Sequence, residues 1–172
     1  MGLIVVLIPI FELVNLNMNR QQSLQLWEQS LIATHKLNIN KVEKGDVIGT
    51  LTFHDQQALP VIEGINEEEL ARGLGHDPVS VLPGEIGNCL IYGHREQYLW
   101  SLQYLNLNDF IYIQTENEIL KFKVYAISVM SPTDSHIFNE TETPTLTLVT
   151  CYPFVYFGRA EQRYVVKAIL QS

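Results

Sequence analysis

From residue 46 onward the chain is built of short runs in which apolar and polar residues alternate, the two-residue period of strands with one buried face. The runs are "VIGTLTF" (47–53), "ALPVIE" (58–63), "CLIYGH" (89–94), "DFIYIQT" (109–115), "ILKFKVYAISVM" (119–130), "TLTLVTC" (145–151) and "RYVVKAIL" (163–170). Polar or Gly/Pro-rich stretches separate them, among them "HDQQ" (54–57), "GHDPVSVLPGEIGN" (75–88) and "SPTDSHIFNETETP" (131–144). These read as loops. "NEEELARGL" (66–74) predicts a one- or two-turn helix, with Asn66 as N-cap and acidic residues in its first turn. "YLWSLQYL" (98–105) predicts a short helical turn. Seven or eight strands, few helices and no internal repeat make the chain mainly β, a small mixed barrel or sandwich.

The first forty-odd residues follow other rules. "GLIVVLIPIF" (2–11) is apolar throughout but stops at Glu12, well short of the roughly 18–20 residues that span a bilayer. It lacks the basic start of a signal peptide, and Val6 stands where myristoylation needs Ser or Thr. The segment reads either as a hydrophobic helix packed on the domain or as the outer part of a membrane anchor. Pro9 and Glu12 suit a core helix poorly and favour the anchor. Residues 18–36 predict an amphipathic helix, with Leu24, Trp27, Leu31 and Ile32 at helical spacing. "NINKVEKGD" (38–46) is a polar junction. The division expected is a partial anchor or hydrophobic segment at 1–14, a helix and linker at 15–44, and a folded domain at 45–172.

Composition narrows the function. A hydrophobic fraction of 47% and a charged fraction of 17% over 172 residues suit one globular domain with a short appendage. The formal net charge of −8, without a basic patch, excludes a nucleic-acid binder, because phosphate neutralisation needs clustered Lys and Arg. Two cysteines, Cys89 and Cys151, rule out a disulfide scaffold. No CxxC, no HExxH and no metal-ligand spacing among five histidines point to a metal, and nothing calls for a cofactor.

The candidate chemistry gathers at strand ends. Pro153 cannot donate to a ladder, so the strand through Leu146 and Leu148 should stop close to Cys151. A mid-strand cysteine is an inert small hydrophobe, and Cys89 reads as one. A cysteine at a strand end can also meet a ligand. His94 ends the strand "LIYG", and Arg163 opens the last strand just after the loop that follows Cys151. The three residue types make chemical sense together. The thiolate is the nucleophile, and a nearby imidazole and guanidinium favour it. The guanidinium can donate to a carbonyl as charge develops there, and the histidine can protonate a departing amine. Taken singly, a histidine after a strand and an arginine at a strand edge also fit structural and solvated roles. "YPFVYF" after Cys151 adds an aromatic cluster, Tyr152, Phe154, Tyr156 and Phe157, that is either core or groove wall.

In this order the words around these residues resemble the sortases, cysteine transpeptidases of the outer surface of Gram-positive cells. "TLTLVTC" resembles the family's TLxTC strand, and "IYGHR" its A-G-H segment with Tyr92 in place of alanine. Arg163 stands where the family's arginine leads into the final strand. Arg159 is the nearby rival, without the strand context of "EQRYVV". "GDVIGTL", "LPVIEG", "ELARGLGH", "LPGEIGN" and "TCYPF" follow in the order of the class D branch, so the likeness spans roughly Gly45 to Leu170. "LNLNDF" departs from the usual Gly-Asp turn, and "FHDQQ" is unusual in the first hairpin.

The resemblance implies an eight-stranded β-barrel with a few short helices and an N-terminal helical appendage. It implies an enzyme held through its N-terminal segment on the outer face of the membrane of a Gram-positive bacterium. Its partners would be an LPxTG-like sorting peptide and a peptidoglycan-precursor amine. Cys151 would form a thioacyl enzyme after the substrate threonine, His94 would act as acid and then base, and Arg163 would hold the carbonyl or oxyanion. Thr150 would order the peptide or the oxyanion site. The calcium of class A enzymes is not expected, since the loop before the histidine strand offers only Asp77 and Glu85. An endopeptidase that only hydrolyses and a non-catalytic peptide-binding β-domain are the competing readings.

Overall fold

The computed structural model describes residues 2–34, 42–53, 57–155 and 160–171. Among these lie eight strands, β1 (Val47–Phe53), β2 (Leu59–Glu63), β3 (Leu74–His76), β4 (Asn88–Tyr92), β5 (Phe110–Gln114), β6 (Ile119–Met130), β7 (Thr145–Tyr152) and β8 (Gln162–Leu170). Helix α1 is Gly2–Thr34 and α2 is Glu67–Leu70, with 3₁₀ turns at Trp100–Tyr104 and Ser135–Ile137. The strands close into a barrel in the order β1-β2-β3-β4-β7-β8-β6-β5, with β5 returning to β1. Two neighbours are parallel, β2 with β3 and β4 with β7; the others are antiparallel.

Strand alternation builds the core. Leu51 and Phe53, Ile111 and Ile113, Leu120, Phe122 and Val124, Leu146 and Leu148, and Val166 and Ala168 all meet in one buried cluster inside the barrel. In β6 a bulge between Val124 and Ala126 shifts the pairing with β8, so that Ile127 rather than Ala126 faces Val166. Ile127 therefore packs on the interior cluster despite its odd spacing from Val124. A second cluster of Leu90, Ile137, Val149 and Val165, with Tyr92 and Met130 against it, lies on the opposite faces of β4, β7 and β8. That outer face is covered by the connection between β6 and β7, which supplies Ile137.

Most expected elements are present within a residue or two, with two differences. β3 lies inside a stretch read as helix end and loop: its three residues, Leu74–His76, are too few to show a period. Neighbours on both sides hold it in place, Val61 and Ile62 of β2 and Ile91 and Tyr92 of β4. The N-terminal region is one helix, Gly2–Thr34, running through Pro9 where the sequence suggested two segments. No Gly or Pro occurs from Ile10 to Thr34, so nothing stops it there. Its buried stripe is Ser23 and Trp27 with Leu24 and Leu31 at the margins, while Ile32 is 77% exposed. The junction at 35–41 lies outside the described residues, as do His54, Asp55 and Gln56.

The unusual turn before β5 has a simple basis. Asn108 has φ 75°, the left-handed conformation that a glycine would take, and asparagine tolerates it better than other residues with a side chain. Its N–H donates to the Val124 carbonyl at 2.8 Å, fixing the turn to β6.

Leu148 is fully buried between β4 and β8. Leu148→Ala should lower unfolding free energy by about 2–5 kcal/mol, read as a reduced denaturant midpoint with unchanged slope.

Candidate active site

The site is a consequence of register. Across the outer face of β4, β7 and β8, Leu90, Thr147 and Lys167 form one row, and Tyr92, Val149 and Val165 the next. The row after that pairs Cys151 with Arg163. Directly opposed residues of an antiparallel pair point to the same side with Cβ atoms about 4.5–5.5 Å apart. β4 ends at Tyr92, but its alignment with β7 continues: Gly93 N–H donates to the Val149 carbonyl at 3.2 Å, and Thr150 Oγ1 donates to the Gly93 carbonyl at 2.7 Å. The residue before His94 is thereby tied to the residue before Cys151, and Cys151 itself faces Arg163 on β8.

Glycine at 93 is required by space. A Cβ there would come within 2.7 Å of Leu74 Cδ2 and 2.9 Å of Leu99 Cδ1, both core side chains. The bare backbone lets the chain turn out of the barrel immediately before His94. The His94 carbonyl then accepts from the N–H groups of Tyr98 and Leu99, each at 3.1 Å, which sets the turn. The imidazole is partly exposed, and its Nε2 lies 4.0 Å from Glu67 Oε1 on α2.

Each sequence-predicted residue can now be placed. Cys151 is a free, half-buried thiol on the outer face, one residue before the strand ends. Arg163 is half-buried on β8, with Nη1 donating to the Gln162 carbonyl at 3.1 Å. Thr150 faces the other way: it is 2% exposed, and its hydroxyl hydrogen is committed to Gly93. Its side chain thus joins the histidine segment to the cysteine strand. Cys89 is 1% exposed inside the barrel, where burial, with Glu63 and Glu85 adding to it, pushes its thiol far above the ordinary range. Tyr92 stands one row from Cys151; burial, reinforced by Asp77 and opposed by Arg163, pushes its phenol up to about 12. Phe154 is core, and with Tyr152, Tyr164 and Trp100 it forms edge-on and stacked ring contacts. Tyr156, Phe157 and Arg159 lie outside the described residues.

Two further residues escaped the sequence reading. Arg95 is buried beside His94, and its Nη1 donates to the Pro153 carbonyl at 2.6 Å, tying the histidine turn to the chain just past Cys151. Asn88 is buried at the far end of the same face. A lone Arg or Asn carries no periodic signal, and only the fold gives each its partners.

A second constellation, Glu63, His76 and Ser80, has the outward form of a catalytic triad. His76 Nδ1 lies 2.6 Å from Glu63 Oε2, and Nε2 lies 3.2 Å from Ser80 Oγ. However, Nε2 also faces the Val81 carbonyl at 3.0 Å, which can only accept, so that nitrogen carries its hydrogen and cannot serve as base. Ser80 Oγ donates to the Asp77 carbonyl at 2.8 Å and accepts from Leu90 N–H at 3.1 Å. These groups are a satisfied polar knot that pins β3 and its following turn.

Comparison with known proteins places the fold in a family. The sortase domain family model matches residues 53–171. Sortase D of Bacillus subtilis (strain 168) is 30% identical over 128 residues, which are 73% of this chain and 65% of that protein. The chain thus matches just under two thirds of that relative's length. A Clostridium perfringens sortase D5 transpeptidase superposes with a TM-score of 0.74 at 26% identity, over 90% of this chain and 99% of the other. Corynebacterium diphtheriae sortase A gives 0.68 at 26% identity, over 95% and 86%. Listeria monocytogenes sortase A, at 21% identity and a TM-score of 0.64 over 73% and 88%, shares the fold. The eight-stranded barrel, the ordered motifs and these likenesses agree: the chain belongs to the sortase family.

Proposed function

We propose that this chain is a class D-like sortase that cleaves an LPxTG-like sorting signal after threonine and transfers the acyl part to a cell-wall amine. The observation that carries the reading is that Cys151 pairs with Arg163 across β7 and β8, while Thr150, the residue before it, is bonded to Gly93, the residue before His94. The sulfur of Cys151 attacks the threonine carbonyl carbon, and the C–N bond breaks as His94 delivers a proton to the departing amine. The nitrogen of an incoming amine then attacks the thioacyl carbon and forms the new C–N bond, giving its proton to His94 while the C–S bond breaks and the thiolate returns. Arg163 stays charged throughout and donates to the carbonyl oxygen as negative charge grows there. Thr150 acts through its bond to Gly93, holding His94 in line. The net charge of −8 does not repel a cationic amine.

The family's setting, the outer surface of Gram-positive cells, supports placing this protein there. Residues 1–14 would be the outer part of an anchor, 15–44 the helix and linker, and 45–172 the catalytic domain. The apolar run 2–11 at the start of α1 supports the anchor. Among the described residues, no helix is long and apolar enough to cross a membrane.

Intact-protein mass spectrometry after mixing with LPxTG- and LPxTA-type peptides should show an adduct equal to the acyl portion, absent in Cys151→Ala. Adding an amine should convert it to a ligated product. Hydrolysis unaffected by amine would make the chain an endopeptidase, and absence of any adduct would favour a binding domain. Iodoacetamide should label one native thiol, Cys151, and reach Cys89 only on unfolding; early labelling of Cys89 contradicts the assignment. Arg163→Ala should cost about 10²–10³-fold in kcat, with Arg163→Lys recovering little because an ammonium lacks the planar fork.

A further inference from the structure

The outer face that carries Cys151 is walled by the connection between β6 and β7, and that connection is held by polar side chains from adjacent rows of the sheet. Asn88 Nδ2 donates to the carbonyls of Ile137 at 3.0 Å and Asn139 at 3.1 Å. Its Oδ1 accepts from the Thr147 hydroxyl at 2.6 Å. The amide can have only this orientation, because turning it over would set Oδ1 against two carbonyl oxygens. Lys167, opposite Thr147 on β8, donates from Nζ to the His136 carbonyl at 2.9 Å. Side chains of β4 and β8 thus hold the carbonyls at 136, 137 and 139 from below, and Thr147 of β7 fixes the Asn88 amide that holds two of them.

These bonds place one apolar side chain. Ile137 is 2% exposed and packs on Leu90, Val149 and Val165, the floor one to two rows from Cys151. The connection's own bonds shape its turn without joining it to the barrel. Asp134 Oδ1 accepts from the backbone N–H of His136 at 2.9 Å, and Ser131 meets Thr133 at 3.0 Å. A polar segment of this length would otherwise have to be ordered each time a peptide bound.

We propose that Asn88 is a positioning residue that keeps the β6–β7 connection closed over the outer face, so that the peptide meets a wall already formed. The proposal rests on the sortase reading. Asn88 lies more than two rows from Cys151, so its loss acts on peptide binding and leaves the chemical step in place.

Steady-state kinetics of the full chain with an LPxTG-type peptide test this, together with hydrogen exchange over residues 135–140. Asn88→Ala should raise KM by about tenfold or more with kcat within about threefold, the range expected when buried carbonyls lose their donor. Amides at 135–140 should exchange faster while those of β5 do not change. Lys167→Met, which removes the donor to the His136 carbonyl, should shift both readouts the same way by a smaller factor. It carries the test by itself if Asn88→Ala does not fold. A folded variant with unchanged KM, or with kcat lowered and KM unchanged, overturns the clamp. Wild-type protein that turns over no peptide overturns the sortase reading and this inference with it. An active wild type with unchanged KM in both variants removes the clamp alone.

Discussion

The parallel pairing of β4 with β7 is the constraint on which the rest depends. The strands are far apart in sequence, and their register sets Tyr92 beside Val149. The Thr150 hydroxyl carries the alignment one residue further by donating to Gly93 at 2.7 Å. A histidine segment and a cysteine strand are thereby locked at a fixed offset inside a closed barrel. Closure matters because a strand with neighbours on both sides cannot slip without breaking two ladders. The residue that permits the turn toward His94 is Gly93, whose missing Cβ leaves room for Leu74 and Leu99.

The two faces of the β4-β7-β8 sheet divide the barrel core from the face that carries the proposed nucleophile. Leu146, Leu148, Val166 and Ala168 point inward and supply the core, with Cys89 among them as a small inert side chain. Val149, Val165 and Leu90 point outward, and the same face ends at Cys151 and Arg163. The two thiols differ because strand alternation sends one inward and the other outward. In the interior, burial pushes the Cys89 thiol upward and removes any attacking thiolate.

Rigid strands set backbone positions, and the polar ties around them set the loops. Arg95 joins the histidine turn to Pro153, Asn88 and Lys167 hold the β6–β7 connection, and the Glu63–His76–Ser80 knot pins the turn after β3. Each tie uses a buried or half-buried group with its partners in place, which is what makes it specific. The face around Cys151 is therefore bounded on both sides by segments held to the barrel, an arrangement suited to a preorganised site.

The strands of this barrel were legible in the sequence because their alternation is local. β1 and β6 begin and end where the pattern does, and Cys151 falls at the end of β7 because Pro153 cannot continue a ladder. The ordered motifs around His94, Cys151 and Arg163 were legible as a family likeness. β3 was not, since three residues show no period and depend on β2 and β4 for their place. The continuity of α1 from Gly2 to Thr34 was also hidden, because the apolar run at 2–11 and the amphipathic run at 18–36 read as two segments. Thr150 carried no sign of which way its hydroxyl would turn, and Arg95 and Asn88 looked like ordinary polar residues. Their partners lie 49 to 59 positions away along the chain, at Gly93, Pro153, Ile137, Asn139 and Thr147. Sequence by itself determined which residues alternate and where strands must stop. Only tertiary structure decided which strand ends meet, because register between distant strands is set by packing all of them around one core.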